Sequence, residues 1–164
     1  MSKYLVTGTA GFIGFHLANA LLEKGEEVVG LDNINDYYDV NLKYARLNEA
    51  GIMRDEVEWN SPARSKKYAG YRFVRMDITD RENLNRLFRS EKFDYVIHLA
   101  ARAGVRYSID HPDVYIQSNI VGFFNILEAC RHYPVKHLLY ASSSSVYGNN
   151  EKVPFSEDDN VDHP

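Results

Sequence analysis

The chain has 164 residues, within the usual size of one domain, and its 45% hydrophobic content supports a packed core and excludes a disordered chain. A net charge of −4 and a pI near 5.8 argue against a nucleic-acid or membrane surface, and no apolar run is long enough to span a bilayer. No leader pattern is read at the N-terminus, and the lone Cys130 excludes an internal disulfide, so a reducing, cytoplasmic setting is expected.

The first element is a short apolar strand, Tyr4-Leu5-Val6. It leads into Val6-Thr-Gly-Thr-Ala-Gly-Phe-Ile-Gly14 and then an amphipathic helix, Phe15–Lys24. Strand, glycine turn and helix form the geometry that holds a dinucleotide pyrophosphate. Gly8 permits the tight turn, Gly11 lets the backbone approach the phosphates, and Gly14 lets helix and strand pack closely. The helix start offers free N–H groups to the anion. Taken alone, a Gly8-x-x-Gly11-x-x-Gly14 triplet also fits a plain helix-start turn. A second strand, Glu27–Leu31, ends in Asp32, where an acid can accept hydrogen bonds from the adenosine ribose. A carboxylate there repels a 2′-phosphate, so NAD is favoured over NADP.

A polar, aromatic stretch follows, Asn33–Asp39, and then a helix around Val40–Ala50. Residues 51–70 read as an inserted loop with basic character (Arg54, Arg64, Lys66, Lys67) and a solvated surface. Tyr71–Arg75 alternates as strand three. Asp80 or Thr79 can cap the helix Arg81–Ser90. Strand four, Tyr95–Leu99, opens onto Ala100–Arg106, a turn of small residues where backbone can lie against a ligand. A long helix runs from about Val114 to Arg131, with Pro112 near its first turn. Cys130 reads as a buried helix thiol without a catalytic role. Strand five, His137–Ala141, ends in the run Ser142-Ser-Ser-Ser-Val-Tyr-Gly148.

Alternating strands and helices predict an α/β fold: a Rossmann-like, doubly wound parallel sheet, truncated after about five strands. Open sheets of this kind bind ligands beyond the carboxyl ends of their strands. The glycine turn, Asp32, Asp77, Ala100-Ala101 and the serine run all follow strands in that position. His98 also lies there and is read as structural. No cluster of His, Cys and carboxylates has metal-site spacing, so no metal is expected.

Together these motifs resemble the extended short-chain dehydrogenase/reductase family, and within it the nucleotide-sugar epimerases. Closer likeness to bacterial UDP-glucuronate 4-epimerases lies in Leu31–Leu42, Ala103–Ser108 and Asp158–Pro164. The resemblance implies NAD as cofactor and a UDP-sugar as substrate, epimerised at C4 through a 4-keto intermediate; a UDP-hexose or UDP-N-acetylhexosamine is the alternative substrate. It implies that Phe12 and Ile13 line the pyrophosphate turn, that Asn33 accompanies Asp32, and that Asp77 and Ile78 flank adenine. Leu99, Ala100 and Ala101 would run along the cofactor, with Ser118 facing it from the long helix. Ser143 would be the catalytic serine, bonding the sugar C4 oxygen; without the family it reads as a strand-end serine satisfying nearby backbone. Dehydratases and decarboxylases of the family carry acids within the serine motif. Here Ser144 and Ser145 stand there, which argues for simple epimerisation. Ser144, Ser145 and Arg106 are candidates to grip a uronate carboxylate, and Arg106 reads equally as an exposed loop charge.

The family's Tyr-x-x-x-Lys pair is missing, since no tyrosine here has a lysine four residues on. The expectation is therefore an incomplete NAD-binding domain over 1–164, lacking the substrate-binding C-terminal domain and inactive alone. The longer protein would be the enzyme, and a homodimer through two helices, one of them Val114–Arg131. A non-catalytic NAD-binding module is the reading of a different class.

Overall fold

The structure, a computed structural model, describes residues 1–161. The last part of the Asp158–Pro164 motif, residues 162–164, lies outside the described residues.

The chain runs β1 (Lys3–Thr7), α1 (Phe12–Glu23), β2 (Glu27–Asp32), α2 (Val40–Glu49), β3 (Pro62–Arg64), β4 (Tyr71–Arg75), α3 (Arg81–Glu91), β5 (Tyr95–His98), α4 (Val105–Asp110), α5 (Pro112–Tyr115), a π-helical stretch Ile116–Gly122, α6 (Phe123–His132) and β6 (His137–Tyr140). The sheet order is β3-β4-β2-β1-β5-β6. All neighbours are parallel except β3, which pairs antiparallel with β4. The five parallel strands give the doubly wound order, in which the chain reverses direction across the sheet at β1.

Side-chain alternation explains why both faces are covered. Val6, Val28 and Phe73 point toward α1 and α2, where Phe15, Ala18, Leu22 and Leu47 meet them. Leu5, Val29, Val74 and Val96 point the other way, against Leu84 and Phe88 of α3 and Ile126 and Ala129 of α6. Parallel strands buried on both faces read as apolar runs, as β1 and β2 do. The outer strand β6 is the exception: Leu139 and Tyr140 are exposed.

Four elements differ from the sequence expectation. The 51–70 segment is not all loop, since β3 turns back on β4, with Ala63 buried and Ser65 N–H donating to Tyr71 C=O. Its three residues start with proline, which an edge strand tolerates and which hides it from pattern reading. The small-residue turn after β5 ends at Gly104, whose φ of +103° swings the chain into α4. The long helix spans Pro112–His132 but is interrupted by the π-helical stretch, and α1 starts at Phe12 rather than Phe15. Asp80 caps α3 through Asn83 N–H, as expected.

Candidate functional site

The crevice opens where β1 and β5 lie side by side and their following helices leave on opposite faces. Gly8, the first residue past β1, has φ +76° and donates its N–H to Leu31 C=O at 2.7 Å. A Cβ on it would stand 3.1 Å from the Ala100 nitrogen, so the turn and the β5 loop touch backbone to backbone. A Cβ on Gly14 would stand 2.2 Å from Gly8 C=O, which brings α1 down onto the turn. Thr7 fastens the other side: its hydroxyl accepts from Leu99 N–H (3.1 Å) and Ala100 N–H (3.0 Å) and meets His98 Nδ1 at 2.8 Å.

Two hollows lie along this crevice. The first is lined by Gly8, Gly11, Asp32, Asn33, Asp77, Ile78, Leu99–Arg102 and Ser118, together with Asn35, Tyr37, Tyr38 and Lys43. Asp32 is buried and accepts from Ala10 N–H at 3.2 Å and Ile34 N–H at 2.8 Å. Lys43 Nζ lies 3.7 Å from its Oδ1. Burial pushes the Asp32 carboxyl above the usual carboxylate range, against the pull of Lys43. Burial likewise pushes the Lys43 ammonium below its usual value, against the pull of Asp32. Asp77 behaves differently. Burial opposes its charge, but bonds from Asn33 Nδ2 (2.8 Å) and from Thr79 N–H (2.9 Å) and hydroxyl (2.7 Å) outweigh it and hold its carboxyl below the usual range.

The second hollow continues from the first through the same Leu99–Arg102 backbone. Its other walls are His98, Ala103–Val105, Ser108, Tyr115, Asn119, Phe123 and the β6 end from Tyr140 to Ser143. Burial pulls the His98 imidazole down to about 4, so it is neutral near pH 7. Its ring stacks on Phe123. Ser143 is exposed at the mouth; its hydroxyl accepts from Ser145 N–H (3.2 Å) and donates to Ser145 Oγ (3.0 Å).

The β5–α4 loop is tied at both ends. Tyr37 and Tyr115 hydroxyls both donate to Ala103 C=O, at 2.7 and 2.9 Å. The Asn119 side-chain amide, in the π-helical stretch, holds both the N–H and the C=O of Arg102, at 2.8 and 2.9 Å. Such stretches often occur at functional sites.

Most sequence-predicted residues converge. Gly8, Gly11, Asp32, Asn33, Asp77, Ile78, Leu99, Ala100, Ala101 and Ser118 line the first hollow, and Ser143 the second. Phe12, Ile13, Gly14, Arg106, Ser144 and Ser145 do not line either. Phe12 and Ile13 are exposed in the first turn of α1, Gly14 packs beneath the turn, and Arg106 is exposed on α4. Sequence reasoning missed Asn35, Lys43 and Arg102, and gave Tyr37 and Tyr38 no role. Lys43 left a signal: it stands with Val40, Leu47 and Ala50 at helical spacing, a charge in the stripe that faces the core. Cys130 is half-buried and burial pushes its thiol up to about 11, consistent with an unreactive helix position. Among the described residues there is no cluster suited to a metal ion, and no helix is long and apolar enough to cross a membrane.

Known proteins resemble this chain in sequence and in fold. The UDP-glucuronate 4-epimerase of Thermodesulfobacterium geofontis is 46% identical over 164 residues, covering 100% of this chain and 46% of that protein. UDP-glucuronate 4-epimerase 4 of Arabidopsis thaliana is 48% identical over 164 residues, covering 98% of this chain and 33% of that protein. The crystal structure of UDP-glucuronic acid 4-epimerase from Bacillus cereus, in complex with UDP-glucuronic acid and NAD, superposes with a TM-score of 0.77 at 34% identity over 98% of this chain and 46% of that one. The chain thus spans less than half the length of these relatives. Residues 5–164 match the family described as GDP-mannose 4,6 dehydratase, and the chain belongs to that family of short-chain dehydrogenase/reductase-type epimerases and dehydratases.

Proposed function

We propose that the protein to which this chain belongs is an NAD-dependent 4-epimerase of UDP-sugars that interconverts UDP-glucuronate and UDP-galacturonate. The observation that carries this reading is the pair of hollows joined at Leu99–Arg102, with the Gly8 turn at the junction and Ser143 at the far mouth. The Bacillus cereus relative, solved with both UDP-glucuronic acid and NAD, supports the choice of ligands.

The residues fit a dinucleotide. Gly8 and Gly11 both present backbone without a side chain to the first hollow. Asp32 gives one backbone acceptor contact from each oxygen, and a carboxylate has about four lone-pair sites, so acceptor capacity remains for ribose hydroxyls. Asp77, held ionised by Asn33 and Thr79, presents an acceptor for an adenine amino group, and Ile78 and Ser118 complete that wall. NAD held there would supply the hydride acceptor and donor for sugar C4.

The chain's own contribution is positioning. Ser143 releases only a neutral bond to Ser145 when its hydroxyl turns to the sugar C4 oxygen, a cost of about 1 kcal/mol. Ser144 and Ser145 offer hydroxyls and no acid, so elimination lacks its proton donor in this motif. Arg106 adjoins Val105 in the second hollow and is the proposed grip on a uronate carboxylate. No tyrosine in 1–164 is followed four residues on by lysine, so we assign turnover to the whole protein and not to this stretch alone. We also place a homodimer contact on the exposed stripe Ile116, Ile120, Phe124 and Leu127.

The test is a comparison of kcat/KM for UDP-glucuronate, UDP-glucose and UDP-N-acetylglucosamine with the whole protein. The uronate should be preferred, and Arg106→Ala should erode that preference. Preference for a neutral sugar would overturn the substrate assignment, and no epimerisation of any of them would overturn the activity.

A further inference from the structure

A dinucleotide stretched across both hollows has to pass its pyrophosphate by the residues the hollows share. These are Leu99, Ala100, Ala101 and Arg102, and Arg102 alone carries charge. Its backbone is immobilised from both sides by Asn119, so the structural contacts of this position belong to the main chain. The side chain is differently placed. Its guanidinium stands 5.5 Å from the centre of the Tyr37 ring. It forms no ion pair within 4.0 Å among the described residues. Its Nε is shut off from solvent and has no hydrogen-bond partner. A buried N–H left unpaired is costly, and a native site that carries one commonly pairs it with a ligand.

We infer that Arg102 is the cationic clamp of the site, giving its guanidinium donors to the diphosphate of the bound dinucleotide opposite the Gly8–Gly11 turn. This inference rests on the NAD reading and deepens it. The charges that face Arg102 fit the role. Asp77 and Lys43 both feel its field, and neither pairs with it. Stacking on Tyr37 pre-orients the planar fork, which suits bidentate phosphate recognition better than a lysine would. The Tyr37 hydroxyl is bonded to Ala103 C=O, so the ring that carries the fork is itself fixed to the loop.

The test uses the whole protein stripped of nucleotide, titrated calorimetrically with ADP-ribose, adenosine and UDP. Arg102→Gln should weaken ADP-ribose about tenfold or more, flatten its salt dependence, and leave adenosine and UDP within about twofold. Arg102→Lys, which keeps charge and stem, should restore part of the loss. Equal ADP-ribose affinity in wild type and both variants would overturn the clamp. So would equal weakening of ADP-ribose and adenosine, which would make Arg102 a prop for the Tyr37 side of the site. Weakening of UDP alone would assign the diphosphate to the sugar nucleotide and overturn it as well. Wild-type protein that binds neither ADP-ribose nor NAD would overturn the NAD reading itself.

Discussion

The Thr7 hydroxyl stands 2.8 Å from His98 Nδ1, and its own bonds set the direction of that contact. Its two acceptor sites are taken by Leu99 and Ala100 N–H, so its single proton points to His98 Nδ1. The imidazole is therefore neutral and protonated at Nε2. This ties the end of β5, which both hollows share, to the end of β1.

A pH dependence follows. Burial lowers the folded-state value of His98 from 6.5 to about 4. As pH falls the unfolded chain takes up the proton first. Stability from this residue is complete above about pH 6.5 and is lost on the way down to about pH 4, by roughly 3 kcal/mol. Urea unfolding from about pH 7.5 to about pH 4.5 should show that slope in the wild type and a flatter one in His98→Asn, which keeps an acceptor for Thr7. Identical slopes would show that another group titrates.

The buried pair Asp32–Lys43 should respond asymmetrically to mutation. Lys43→Met leaves a buried carboxylate without its cation and should cost about 3–5 kcal/mol, whereas Asp32→Asn with Lys43→Met together should cost less than the two singly summed. In binding, Asp32→Ala should shrink the preference for NAD over NADP by about tenfold or more. Additive stabilities in a double-mutant cycle would show that the pair is not coupled.

Gly14→Ala should weaken both packing and cofactor binding. The added methyl would lie 2.2 Å from Gly8 C=O, so α1 has to move off the turn. A loss of about 1–3 kcal/mol in denaturant unfolding is expected, with NAD affinity reduced in parallel. Unchanged affinity would mean that the turn does not hold the cofactor.

The exposed stripe on Pro112–His132 predicts an assembly. Sedimentation of the whole protein should show a dimer, and Ile120→Glu with Phe124→Glu should give a folded monomer, because two charges would be buried unpaired in the contact. A dimer that survives both changes places the interface elsewhere.

The sequence made the sheet legible because parallel strands buried on two faces leave runs such as Tyr4-Leu5-Val6 and Glu27–Leu31, and because glycines and acids follow them at strand ends. What stayed hidden depends on contacts between distant segments. β3 exists only by pairing with β4, and its Pro62-Ala-Arg64 carries no pattern of its own. The π-helical stretch reads as ordinary helix, although it is what aims Asn119 at the Arg102 backbone. Arg102 stands inside the small-residue turn Ala100–Arg106, and only the fold shows that it lies between two hollows. Lys43 was readable in principle as a charge in an apolar stripe, but its partner Asp32 is on another element.

The most direct measurement of the central claim is to incubate the whole protein with UDP-glucuronate carrying deuterium at C4 and to follow product and label together. The account predicts UDP-galacturonate with the deuterium still on C4 and no net consumption of NAD. Absence of UDP-galacturonate, or exchange of the label with water, would contradict it.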